Sequence, residues 1–325
     1  VFTNSGLTGR QMQAKAKNML YDWFVTFRKE GFTEWNSSPY LPIDTLGFGS
    51  LYAFAQDPAM RELGREGMDF AYYLLAVHSQ QGIFASSSGR TYIKEQFGNW
   101  SNCPSGLSWI GYGYGVPGHA GKGITSYCLS DYEPPKEFAQ WFSIPRGKEM
   151  ICQTTQGNDG YVDLYTYKTA DYMMTSANDF HPGEPGHQEN PFQLTFNAVA
   201  QLWVTHPGER VLFGAARPSY WAGNGTLPKV NQYKAFAGLI YDIAPEHPVD
   251  FPHLYLPSME FDRCEVEGKW AFVQLGSAYA AVYCSNGMRM QDFGSNKDRE
   301  CIAEGRRCIW LVRAAQADEF AAFED

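Results

Sequence analysis

Thirteen consecutive residues, His181 to Gln193 (HPGEPGHQENPFQ), hold two His, two Glu, two Gln, one Asn and three Pro. Such a polar, proline-broken run suits neither a helix interior nor a central strand. It reads as a stiff loop that presents His187, Gln188 and Glu189 to a ligand, carried by strands on either side. Three other stretches have comparable composition. Phe32 to Pro42 (FTEWNSSPYLP) offers Glu34, Asn36 and Tyr40, and Ser86 to Tyr92 (SSSGRTY) offers Arg90 and Tyr92. Arg217 to Gly225 (RPSYWAGNG) adds a cation, two aromatic rings and an amide in Arg217, Tyr220, Trp221 and Asn224, with backbone opened by glycine.

These residue types fit β-elimination on a uronic-acid polymer. The C5 proton beside the carboxylate is a weak acid. Its removal needs the carboxylate neutralised, a base for the proton and an acid for the leaving O4. Asn, Gln or Arg neutralise by hydrogen bonds that strengthen as charge develops, and Tyr or His move the protons. Asn36, Arg90, Tyr92 and His187 form one such set. Paired carboxylates such as Glu34 and Glu189 support a second reading, glycoside hydrolysis. A glycan-binding protein without catalysis is the third.

Two kinds of element have to position these loops. Apolar residues recur at three-four spacing over 8–30 (Met12, Ala16, Met19, Leu20, Trp23, Phe24, Phe27), and helices are expected there, over 43–56 and over 58–81. The middle helix places Leu46, Leu51, Tyr52 and Phe54 inside, and Asp57-Pro58 marks the start of the third. His78 reads as a core histidine. Residues 99–123 are rich in Gly, Trp and Tyr without periodicity and read as a long loop. From about 150 the pattern becomes strands: 161–167, 172–176, 193–205 as a long strand pair or bent strand, 233–243, 259–264, 270–275, 278–285 and 307–313, with hairpin turns at Gly268-Lys269 and Gly276-Ser277. The expectation is an α+β chain with a boundary near 140: a helical region, 1–140, then an antiparallel β region, 141–325.

Composition narrows the function classes. The 325 residues are 44% apolar and 19% charged, enough for a sizeable core, and aromatics reach 16%, which suits sugar stacking or an aromatic β-core. A net charge of −9 argues against a nucleic-acid partner. No apolar run is long enough for a bilayer-spanning helix. The chain begins at Val1 rather than Met, so a fragment or processed chain is expected. None of the seven Cys pairs at CxxC spacing; Cys264/Cys284 and Cys301/Cys308 are candidate cross-strand disulfides, with buried thiols the alternative. Asn36, Asn99 and Asn224 open N-glycosylation sequons. His119, His206, His247 and His253 read as loop or surface-turn residues. Prolines break the ligand spacing of His181/Glu184/His187, and Gly111 to Gly115 has no strand before it and no helix after it, so neither a metal nor a cofactor is expected.

The Asn-bearing loop EWNSSPY, the downstream GRTY and a later β region supplying a His resemble the heparinase II/III-like polysaccharide lyases. Phe261 to Tyr283 (FDRCEVEGKWAFVQLGSAYAAVY) is similar in style to their sandwich hairpins. The resemblance implies antiparallel helices forming part of an (α/α) toroid, followed by an antiparallel β-sandwich. It implies that Asn36 neutralises the carboxylate, that Tyr92 is base and acid, and that His187 is its partner. Glu34, Tyr40, Arg90, Gln188, Glu189, Arg217, Tyr220, Trp221 and Asn224 would then bind substrate. An acidic polysaccharide as partner and an extracellular or periplasmic location follow.

Overall fold

Caps and prolines set the helix starts. In the computed structural model, which describes residues 1–97, 102–115, 122–157, 162–212, 214–319 and 323, helix α1 (Gly9–Glu30) opens on Thr8. The Thr8 side chain accepts from the Gln11 N–H while the Gln11 side chain bonds back to Thr8, a capping box. Helix α2 (Leu41–Phe54) carries Pro42 in its first turn, and α3 (Pro58–Val77) starts with Pro58 behind an Asp57 cap. The helical core gathers Phe24, Phe27, Phe48, Leu63, Met68, Tyr72, Leu74 and Leu75. Several expected core residues differ, among them Met19, Trp23, Leu46 and Phe54, which are 61%, 45%, 41% and 58% exposed. An open cavity on the outer side of α1 and α2 is lined by Leu20, Trp23, Leu51 and Phe54.

Helix α3 ends at Val77, before the expected 81, because Gln81 and Gly82 take positive φ (51° and 86°) and turn the chain into a hairpin of β1 (Ser79–Gln80) and β2 (Ile83–Phe84). The region expected to be a structureless loop, 99–123, contains α5 (Ser105–Tyr112); the short α4 (Ile93–Gln96) precedes it and α6 (Ile124–Cys128) follows it. Small residues Ser105, Gly106 and Ser108 line the buried side of α5, so apolar periodicity could not announce it. Asn99, His119 and Tyr161 lie outside the described residues.

Fourteen further strands follow in chain order: β3 (Met150–Gln156), β4 (Val162–Lys168), β5 (Met173–Asn178), β6 (Phe192–Thr195), β7 (Gln201–Thr205), β8 (Lys229–Tyr233), β9 (Phe236–Asp242), β10 (His253–Tyr255), β11 (Arg263–Glu267), β12 (Trp270–Leu275), β13 (Ala278–Cys284), β14 (Arg289–Met290), β15 (Glu300–Ile302) and β16 (Arg307–Gln316). They build an eight-stranded sheet, β14-β15-β10-β7-β6-β5-β4-β3, and a six-stranded sheet, β11-β12-β13-β16-β9-β8. The paired strands are antiparallel. The fold is therefore α+β, helices first and antiparallel sheets after. The stretch 193–205, expected as a strand pair or a bent strand, is the β6–β7 hairpin, turned where Asn197 Oδ1 accepts from the N–H groups of Val199 and Ala200.

One face of each large sheet meets in a single core that includes Tyr172, Phe192, Leu202, Leu239, Tyr241, Val282 and Trp310. The opposite face of the eight-stranded sheet carries the helices. There Lys168 Nζ, fully buried, donates to the carbonyls of Ala76, Ser79 and Trp141 at 2.5–3.1 Å. His78 bonds Thr166 through Nδ1 at 3.0 Å, in keeping with its expected core role. All seven thiols are free. Cys264 opposes Val273 and Cys301 opposes Leu254, so neither candidate disulfide has its register, and the alternative of free thiols holds. His206 and His253 are fully buried rather than surface turns.

Candidate active site

Backbone bonds lash three of the candidate loops together. Gly89 N–H donates to Trp35 O at 2.7 Å, and Ser37 Oγ donates to Arg90 O at 3.2 Å. Ser88 and Asn190 exchange both N–H···O bonds (2.9 and 2.7 Å), and Thr91 N–H donates to Gln188 O. Gly89 is required here: a Cβ would lie 2.7 Å from Trp35 Nε1. The fourth loop packs on the third, since a Cβ at Gly223 would meet His187 O at 2.2 Å.

This frame projects a compact polar cluster. The phenols of Tyr40 and Tyr92 act on each other's ionisation, and Arg90 acts on Tyr92. Arg90 also forms an ion pair with Glu34 and lies over the Tyr40 ring, 5.1 Å from its centroid. Arg217 lies over the Tyr92 ring at 5.2 Å. Burial pushes the Tyr92 phenol up, but hydrogen bonds from Tyr40 and Arg90, with the charges of Arg90 and Arg217, outweigh it and hold the phenol below its ordinary value. Tyr40 moves the other way, raised first by its bond to Tyr92. Of the two phenols, Tyr92 is the one whose surroundings favour the anion.

Tyr92 and Tyr40 each line a cavity. One, of about 550 Å³, is bounded by Tyr92, Lys94, Gln188, Arg217 and Ser219. The other, of about 650 Å³, is lined by Asp22, Trp23, Glu30, Glu34, Tyr40 and Asp44. The first side carries cations and the second carboxylates. Asp44 is pushed up to about 7, first by burial and then by Glu34. Asp22, Trp23, Glu30, Asp44 and Lys94 carry no loop motif in sequence. They enter through helix geometry: Trp23 sits half-exposed on α1 (45%) and Asp44 in the first turn of α2, where an acid reads as an ordinary helix-start residue.

The structure thus brings Glu34, Tyr40, Arg90, Tyr92, Gln188 and Arg217 together. Asn36 takes a different place from the one expected. It is 2% exposed, with Nδ2 donating to Ser87 O and Oδ1 accepting from Gln156, so its amide fixes the loop at φ 48° and lines neither cavity. His187 is exposed, and its N–H donates to the Glu189 carboxylate; among the described residues no hydrogen bond joins its ring to Tyr92 or Asn36. That inward bond also occupies Glu189, which shares no cavity with Glu34.

Tyr220, Trp221 and Asn224 are corrected likewise from ligand contacts to framework. Tyr220 Oη donates to Glu300 at 2.6 Å, and Trp221 stacks on His253 at 4.1 Å. Asn224 is fully buried, donating to Glu189 O and accepting from Tyr241. Burial removes the sequons at Asn36 and Asn224 from reach of a modifying enzyme in this fold. At His181/Glu184/His187, only His181 and Glu184 approach each other, at 3.3 Å, and no cluster of three metal-ligating residues occurs among the described residues. No family model, curated protein or solved structure matches the chain.

Proposed function

We propose that the chain is a carbohydrate-active enzyme that cleaves a uronic-acid-containing glycan by β-elimination, a distant relative of the heparinase II/III-like polysaccharide lyases. On this reading the helices belong to an (α/α) toroid, the two large sheets form a β-sandwich, and the enzyme works outside the cell or in the periplasm. The observation that carries it is the Tyr92 phenol, held by Tyr40 and two arginines at the mouth of the cationic cavity.

The uronate carboxylate enters the cavity beside Arg217, whose charge stabilises the enediolate that forms as C5 loses its proton. Tyr92, as phenolate, takes that proton. The C5–H electron pair becomes the C4–C5 double bond as the C4–O4 bond breaks. Tyr40, still protonated, delivers its proton to the departing O4, and the proton on Tyr92 then passes to Tyr40 to reset the pair. Gln188 closes the cavity behind the sugar. Asn36 acts through the loop it braces, as a positioning residue.

The test is a panel of alginate, heparan, chondroitin, glucuronan and pectate, read as near-ultraviolet absorbance of the unsaturated product. Absorbance with one polymer and none with the Tyr92→Phe variant supports the reading; full activity in that variant sinks it. A specific observation keeps a second reading, glycoside hydrolysis, alive. Glu34 and Asp44 line one cavity, and the environment of Asp44 favours its protonated form, as a general acid requires. Reducing ends without absorbance, lost in Asp44→Asn, decide for hydrolysis. Glycan retention with neither product decides for a binding protein.

A further inference from the structure

The outer face of the six-stranded sheet carries aromatic side chains in register. Phe272 on β12 opposes Ala281 on β13, Ala281 opposes Arg313 on β16, Arg313 opposes Phe236 on β9, and Phe236 opposes Tyr233 on β8. Directly opposed residues share a face, so these five form one row across the strands. Four strand spacings separate its ends, about 19 Å. Tyr233, Phe236 and Phe272 are 72%, 45% and 36% exposed. Beside Phe272 on the same strand, Trp270 lies nearly parallel to it, with centroids 5.7 Å apart and 12° between planes.

The Tyr233 end of the row opens into a cavity of about 550 Å³, whose lining includes Tyr167, Lys234, Arg313 and Glu149. Its charges are largely matched within the wall. Glu149 accepts from Lys234 at 2.7 Å and from Tyr167 at 2.8 Å, and Arg313 pairs with Glu319 at 3.3 Å. A two-residue turn, with Lys234 at φ 50°, holds Tyr233 and Phe236 as the closing pair of the β8–β9 hairpin.

We infer that this cavity and its aromatic row form a second glycan site, separate from the Tyr92 cleft, that takes uncharged hydroxyl-rich sugar rings. Flat half-exposed rings meet the apolar face of a pyranose, while paired donors and acceptors meet its hydroxyls. A wall carrying as many carboxylates as cations offers a polyanion no net attraction. A protein partner fits less well, because Arg313 and the small Ala281 and Gly238 interrupt the rings where a protein interface would keep a continuous apolar centre. The inference does not depend on the reaction in the cleft.

Affinity electrophoresis of the intact protein in gels containing xylan, glucomannan or mixed-linkage β-glucan tests it. The expected result is retardation by at least one of them, weakened about tenfold in Tyr233→Ala/Phe236→Ala and unchanged in Arg217→Ala. Tyr233→Ala alone, at so exposed a position, serves if the double variant loses its circular dichroism spectrum. Retardation by none of the polymers overturns the inference, as does retardation that ignores both variants. A concentration-dependent dimer that the double variant abolishes, with no retardation, assigns the face to a second copy of the chain and overturns it too.

Discussion

A phenol becomes a useful base where donors and positive charge hold its anion. Tyr92 has Tyr40, Arg90 and Arg217 for this, and each can be removed separately. Tyr92→Phe is expected to lower elimination about 10²–10⁴-fold with glycan binding largely retained, measured as absorbance rate and by gel retardation. The pH dependence has a definite sign. In the proposed elimination Tyr92 works as the anion, so kcat/KM is expected to rise with pH through its depressed value. Arg217→Ala removes a charge that lowers this value, so the rising limb moves to higher pH. A limb that stays put in Arg217→Ala would detach Tyr92 from the base role. Lys168 shows the same physics in a structural setting. Burial pushes its ammonium down to about 7 while three carbonyls receive its protons. Lys168→Met leaves those carbonyls without a donor at the join of helices and sheet, and is expected to cost about 3–5 kcal/mol in chemical denaturation.

Helix packing fixes where the cleft's acidic wall stands. Helix α2 carries Asp44 and follows directly on Tyr40, and it approaches α3 at two glycines. A Cβ on Gly64 would lie 2.5 Å from Tyr52 N, and one on Gly67 would lie 2.4 Å from the Phe48 ring. Alanine in a helix interior normally stabilises by about 0.8–1.0 kcal/mol over glycine. At Gly64 the backbone of α2 cannot yield as a flexible side chain would, so overpacking of about 1–3 kcal/mol is expected to win. Gly64→Ala should therefore lower Tm, and by displacing α2 it should also lower kcat. A rise in Tm would show that the helices separate freely.

The whole molecule joins two cores through buried polar groups, and this sets its response to acid. His78 and His206 are both held down to about 3, first by burial. Unfolded, they bind protons near the ordinary histidine value of about 6.5. Between about 3 and 6.5 the unfolded chain thus binds more protons than the folded one, and stability falls as pH drops through that window. Glu300 adds to the trend at lower pH. Burial pushes its carboxyl up, but bonds from His253, Tyr220 and Asn296 outweigh this and hold it below the ordinary glutamate range. Its contribution is complete above the unfolded value of about 4.3 and is lost as pH falls through the folded one. Urea unfolding at pH 7, 5 and 4 should show a progressive loss. Glu300→Gln should be less stable at pH 7 and lose less between pH 5 and 3.

The α+β order, the starts of α1 and α3, and several strands of the six-stranded sheet were legible locally, because caps, prolines and alternating side chains act over a few residues. The cluster of Tyr40, Arg90, Tyr92 and Arg217 was legible as residue types on loops, though not as a constellation. What sequence left open was direction. Asn36 and Asn224 have the chemistry of ligand contacts, yet backbone carbonyls and neighbouring amides from distant strands consume them. His187 stands in the most site-like loop, while the neighbouring Gln188 turns into the cavity. Asp44 and Trp23 look like ordinary helix residues until α1, α2 and the loop between them enclose one cavity. Residue type and spacing determine which groups can donate, accept or carry charge. Only tertiary packing decides which face a cavity and which are spent on the frame, because hydrogen bonds between distant segments compete for the same atoms.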